Sequence, residues 1–339
     1  KAFTAYNTRI ITPPTGDNTP VEPVRRKILL IALVLGFLIP MVVIYIREKA
    51  NTTVRGRKDL KKVNVPFLGE IPFSISRKNR PTLEQRIKFW KKPKEVRMIV
   101  VKAGKRDIVN EAFRVLRTNF EFTIGTHPEQ NVIVFTSFNP GSGKSHIAAN
   151  MAMSLAIKKK KVLLIDGDLR HGSTSMLIHS PGEGLSDYLN GRIADIHDIL
   201  YKGEENGLVK NFDVIPIGTI PPNPTELLFT PLLEQMIKTM REEYDYVFID
   251  CPPIEVVADT PIYEQFADRT IFVVRAGLME RSMLPEVNAL YKEKKFKNMT
   301  LILNGTKAHG GRYGSHYGYG YGYGYGYNYN KEKNGGAKS

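Results

Sequence analysis

The first long pattern along the chain is an apolar run without a single charged position. From 28 to 46 nineteen consecutive residues are uncharged and almost all aliphatic. As a helix they extend about 28 Å, close to the hydrocarbon thickness of a bilayer, and a buried core helix of that length would show a polar stripe. Gly36 and Pro40 fall inside the run, where a membrane helix tolerates them better than a soluble one. The run predicts one transmembrane helix over 28–46.

Beyond residue 107 the periodicity becomes that of a globular domain. Val109, Ala112, Phe113, Leu116 and Phe120 recur at helical spacing and predict an amphipathic helix over 107–123. Short, wholly apolar runs at 131–136, 161–165, 214–217, 246–250, 270–274 and 301–303 read as buried strands. A helix is expected from 145 to about 158. Another is expected from Asn223, read as an N-cap before Pro224 and Glu226, to about 242. Strands alternating with helices predict an α/β fold, a parallel sheet with helices on both faces.

These patterns divide the chain into five segments. Residues 1–27 form a proline-rich stub read as extracytoplasmic, 28–46 the span, 47–106 a basic connector, 107–308 the folded domain and 309–339 a tail. The chain opens on Lys1, so it is read as a piece of a longer protein. Within the connector, the apolar stretch 63–72 predicts local docking. The tail alternates Tyr with Gly and has no aliphatic partners, a composition expected to stay disordered. It holds Tyr313, Tyr317, Tyr319, Tyr321, Tyr323, Tyr325, Tyr327 and Tyr329, half of the sixteen tyrosines in the chain.

Charge refines the picture. The net charge is +15, and 47–105 alone holds eighteen Lys/Arg against five Asp/Glu. The excess therefore sits beside the apolar run and not over a folded face, which points to a membrane surface and away from nucleic acid. More basic residues follow the span than precede it, so its C-terminal side is expected in the cytoplasm. A single cysteine, Cys251, excludes a disulfide framework and reads as a buried packing residue.

The candidate chemistry lies at the ends of three strands. Thr136–Ser145 follows one strand and opens a helix; Asn139, Pro140, Gly141, Ser142, Gly143, Lys144 and Ser145, with His146 next, stand in the context of a phosphate-binding loop. The two glycines let backbone N–H groups approach phosphate oxygens, Lys144 is placed for the β- and γ-phosphates, and the Ser145 hydroxyl for Mg²⁺. The loop departs from the usual pattern at its first glycine, where Phe138 stands. Asp166 and Asp168 close a second strand and Asp250 a third. In an open α/β sheet such strand ends converge on the ligand, and Mg²⁺ prefers oxygen donors. Ser145, Asp166 and Asp250 are the expected metal ligands. Lys144, Asp166, Asp168 and Asp250 are the expected catalytic set, with either Asp166 or Asp168 accepting a proton.

On these residues the chain resembles the BY-kinase family, the bacterial tyrosine kinases of capsule and exopolysaccharide export. The loop at 136–145 resembles the family's Walker A, 166–170 its Walker A′ and 248–253 its Walker B; 184–187 and 221–228 resemble further family segments. The partitioning ATPases related to MinD and ParA carry an early loop lysine where Asn139 stands here. The resemblance implies a P-loop fold, ATP and Mg²⁺ as cofactors, and phosphorylation in trans of the tail tyrosines of neighbouring subunits. It implies a ring formed through Glu111, Arg114 and Arg117, which match an E-x-x-R-x-x-R motif; by spacing alone they form a polar ridge on one helix. It also implies an inner-membrane location with the domain and tail cytoplasmic, a tyrosine phosphatase, and polysaccharide polymerase and export partners. Two other readings remain: a co-polymerase scaffold whose nucleotide site only regulates assembly, and a MinD/ParA-like membrane ATPase.

Overall fold

The computed structural model describes residues 25–73, 98–125, 127, 129–255 and 259–307. The tail 309–339 with its eight tyrosines, and most of the stub at 1–27, lie outside the described residues. The chain opens with helix α1, Arg25–Lys49, which contains the whole apolar run and buries no residue against the rest of the chain. It is long and apolar enough to cross a membrane, with a mean hydropathy of 2.9 over its most apolar stretch.

The globular part is one seven-stranded sheet. Its strands are β1 (Phe67–Phe73), β2 (Val132–Ser137), β3 (Val162–Asp166), β4 (Phe212–Ile215), β5 (Tyr246–Asp250), β6 (Arg269–Arg275) and β7 (Thr300–Lys307). They lie in the order β1-β7-β6-β2-β5-β3-β4, and every pairing is parallel. Each central strand is buried on both sides, which explains why the strands read as continuous apolar runs. Alternate residues still divide between two layers. Ile133, Phe135 and Phe248 pack under helices α2 (Ile108–Ile124) and α3 (Lys144–Ala156). Val132, Val134 and Ile249 face the opposite layer, with α4 (Leu185–Leu189), α6 (Pro231–Glu243) and α7 (Thr260–Glu264). α2 begins on Asp107, whose carboxylate accepts from the Val109 and Asn110 N–H groups, and buries the predicted stripe.

Two features depart from the sequence reading. The stretch read as connector docking supplies β1, an edge strand paired with β7, so the folded unit starts well before 107. Leu68 and Ile71 enter the core with Leu116, and the Asn119 side-chain amide donates to the Leu68 carbonyl at 2.7 Å. The helix expected over 223–242 is two helices, α5 (Pro224–Leu227) and α6. Pro231 forces Thr230 into an extended conformation, φ −73° and ψ 145°, which no continuous helix accommodates. Asn223 makes no side-chain cap.

A third core, on the same side as α4 and α6, joins the connector to the phosphate loop. Val54, Leu60 and Val65 pack with Phe138 and with Leu284 and Val287 of α8 (Leu284–Lys292).

Candidate active site

Parallel strands bring all their carboxyl ends to one edge of the sheet, and the predicted chemistry collects there. The loop 138–143 turns from β2 into α3 with Gly141 at φ 73° and Gly143 at φ 85°, a left-handed conformation in which a side chain is strained. Ser137 and Ser142 both donate their hydroxyls to the Asn139 carbonyl, at 3.0 and 2.7 Å. The Asn304 amide at the end of β7 donates to the Ser142 carbonyl at 2.9 Å, and a Cβ on Gly143 would overlap that amide. The Asn139 side chain is turned away from the loop and donates to Glu255 at 2.8 Å. Phe138 occupies the first-glycine position because its ring belongs to the third core, where it is 7% exposed.

Lys144 opens α3 and is buried. Its Nζ lies 3.4 Å from Asp250 Oδ1 and 3.9 Å from Asp168 Oδ2. Burial alone would lower its pKa, but the Asp250 and Asp168 charges outweigh burial and hold it above the ordinary lysine value, so it is an ammonium. Ser145 is buried beside it. His146 packs its ring edge-on against Phe113 at 6.1 Å, and burial lowers its pKa.

Asp166 and Asp250 are register partners on β3 and β5, so their side chains share a face. Burial first, and the neighbouring Asp250 charge second, push the Asp166 pKa up to about 7. Both carboxylates are oriented from behind. Asp166 Oδ2 accepts from the Ser175 N–H and hydroxyl, each at 2.7 Å, and Asp250 Oδ2 accepts from the Thr174 hydroxyl at 2.7 Å. Asp166 Oδ1 is buried with no hydrogen-bond partner, and Asp250 Oδ1, also buried, meets only the Lys144 ammonium at 3.4 Å. Two such oxygens beside a phosphate loop fit a hard divalent cation. Among the described residues no three Asp, Glu, His or Cys side chains gather into a metal cage.

Sequence reasoning missed the supporting layer. Thr174 and Ser175 are ordinary loop residues in one dimension, and nothing marks Asn304. Arg170 donates to Thr225 at 2.8 Å and lies 3.5 Å from Asp259, which also accepts from Thr225 at 2.6 Å, so three separate segments meet beside Asp168. Asp168, itself buried, lies 3.3 Å from the exposed ring of His171.

The expected ridge on α2 is only partly a ridge. Glu111 pairs with Arg114, which also donates to the Lys105 carbonyl at 2.7 Å. Arg117 turns inward and donates to the Ser154 carbonyl and hydroxyl on α3, at 2.8 and 3.1 Å.

Both the sequence and the fold are similar to those of known proteins. Residues 130–278 match the family model of an AAA domain. The chain is 32% identical over 281 residues to the tyrosine-protein kinase wzc of Salmonella typhimurium, covering 81% of this chain. The solved kinase domain of the Escherichia coli tyrosine kinase ETK superposes with a TM-score of 0.64 at 29% identity, covering 80% of this chain and all of that domain. The chain belongs to the BY-kinase family. The BceF tyrosine kinase domain, at 27% identity and a TM-score of 0.60, covers 75% of this chain and 99% of that domain. This BY-kinase chain spans 37% of the length of the Salmonella relative.

Proposed function

We propose that the chain transfers the γ-phosphoryl group of ATP to tyrosine hydroxyls of the 313–329 cluster on neighbouring copies. The observation that carries this reading is the buried Lys144 ammonium between Asp250 and Asp168, with an unpartnered buried oxygen on Asp166 beside them. Lys144 and the backbone of 140–145 would bind the phosphates; Ser145, Asp250 and Asp166 would hold Mg²⁺. When bound, the ion supplies neutralisation of charge on the phosphate oxygens. Thr174 and Ser175 hold the two carboxylates in place, so little reorganisation is needed on binding. A tyrosine hydroxyl, with its ordinary pKa near 10, needs a proton acceptor, and Asp166 or Asp168 serves. Tyrosine is the acceptor class because eight of them cluster beyond the end of β7, six of these alternating with glycine from Tyr317 to Tyr327.

In the same reading α1 anchors the domain in the cytoplasmic membrane, copies assemble as a ring through the 111–117 region, and phosphorylation regulates capsule or exopolysaccharide polymerisation together with a phosphatase and export machinery. A mixing experiment tests the kinase step. A Lys144→Met chain with an intact tail is incubated with Mg-ATP and a chain whose eight tail tyrosines are Phe. Phosphotyrosine mapped to the Lys144→Met tail is the expected result, and its absence rules out transfer in trans. The wild-type chain incubated alone reports whether transfer to tyrosine occurs at all. The pH–rate profiles of Asp166→Asn and Asp168→Asn identify the acceptor.

A further inference from the structure

The end of the apolar helix and the start of the globular domain are almost the same place. α1 ends at Lys49, and the Ala50 N–H still bonds the Ile46 carbonyl at 2.8 Å. The Thr52 carbonyl already accepts from the Arg281 N–H at 2.9 Å. Val54, fully buried, donates to the Met279 carbonyl at 2.8 Å and accepts from the Gly277 N–H at 2.7 Å. Only Ala50 and Asn51 separate helix from domain, and Asn51 is itself engaged: its N–H bonds the Glu48 carbonyl at 3.4 Å, and its side-chain oxygen accepts from the Thr53 N–H and hydroxyl at 3.1 and 2.8 Å. The turn that Thr52 and Val54 are pinned to, 276–281, follows β6 at its carboxyl end. The domain is thus held by the same edge of the sheet that carries the candidate active site.

The surface at this junction is basic and incompletely neutralised. Arg55 pairs with Glu48, and Arg281 lies 3.1 Å from Asp59, a contact that ties the turn to the 56–62 segment. Arg57, Lys58 and Lys61 are exposed beside that contact. Arg57 lies over the Phe67 ring at 5.0 Å, and among the described residues none of the three has an acidic partner. Leu278, 43% exposed, projects from the turn. Unneutralised cations beside an exposed aliphatic side chain, on a surface unable to move away from a bilayer, form an interfacial pattern.

We propose that this face, with Arg57, Lys58, Lys61 and Leu278, rests on the anionic phospholipid headgroups of the leaflet from which α1 emerges, so that the edge bearing the active site looks toward the membrane. The proposal rests on the reading of α1 as a membrane span.

The test uses the full chain in lipid nanodiscs, one set of phosphatidylcholine alone and one containing phosphatidylglycerol. An amine-acetylating reagent and mass spectrometry read the modification rates of Lys58 and Lys61, with Lys238, exposed on α6, as the internal control. Acetylation of Lys58 and Lys61 is expected to slow about fivefold in the anionic discs. Lys238 should not change, and high salt should remove the difference. Lys58→Glu should return Lys61 toward its rate in neutral discs. Equal rates for Lys61 in both lipids, in a chain that has inserted, would overturn the proposal and mark a merely solvated face. A chain that fails to enter either disc would overturn the span and this proposal together.

Discussion

Asp166 and Asp250 stand opposite one another in the register of two neighbouring parallel strands. Two buried carboxylates facing the same way oppose each other's ionisation, and only one of them, Asp250, lies within 4 Å of the Lys144 ammonium. The pair is therefore a pre-built receptor for positive charge, and its cost to the ligand-free fold gives a pH-dependent signature.

In the unfolded chain the Asp166 carboxyl ionises at its ordinary value, 3.8; in the folded chain it keeps its proton up to about 7. The folded state binds more protons across that window. The stability tied to Asp166 is therefore full at low pH and is lost as pH rises through about 7. Thermal melts of ligand-free wild type and Asp166→Asn should show the Asn chain gaining on wild type as pH rises from about 4 to about 7. A constant difference across that range would contradict the assignment.

Thr174→Val keeps the shape of the side chain and removes the hydroxyl that orients Asp250. Phosphotyrosine formation should fall about 10- to 100-fold, the range found for groups that position a ligating residue. The far-ultraviolet circular dichroism spectrum should be unchanged.

Asn304→Ala frees the Ser142 carbonyl from its only cross-strand restraint among the described residues, a buried hydrogen bond worth about 1 kcal/mol. Nucleotide affinity, read by calorimetric titration, should weaken about fivefold. An unchanged Kd would mean the loop keeps its shape without β7.

Phe138 breaks the usual glycine pattern because it is a core residue, so restoring a small side chain should harm the fold. Phe138→Ala is expected to lower stability by about 3–5 kcal/mol, visible as a reduced Tm. A Tm equal to wild type would show that the connector core with Val54, Leu60 and Val65 closes without it.

Much of the chemistry was readable in one dimension because its determinants are local. A phosphate loop needs glycines where the backbone turns left-handed, and these lie within a few residues of the lysine they serve. Doubly buried strands need continuous apolar runs, so β2, β3 and β5, and the acidic residues that end β3 and β5, stood out. The break before Pro231 was equally local, and the expected continuous helix overlooked it.

The rest was decided by contacts between distant segments. β1 reads as a connector until β7, more than two hundred residues later, pairs with it. Thr174 and Ser175 acquire a role only when the chain folds back over the ends of β3 and β5. Asn304 matters only because parallel pairing brings its end of β7 to the phosphate loop. Arg117, spaced as if for a free ridge, turns inward because α3 offers it the Ser154 carbonyl. Spacing along a chain states which side chains share a face of one element; which element meets that face depends on burial of the whole sheet, and that is settled only in three dimensions.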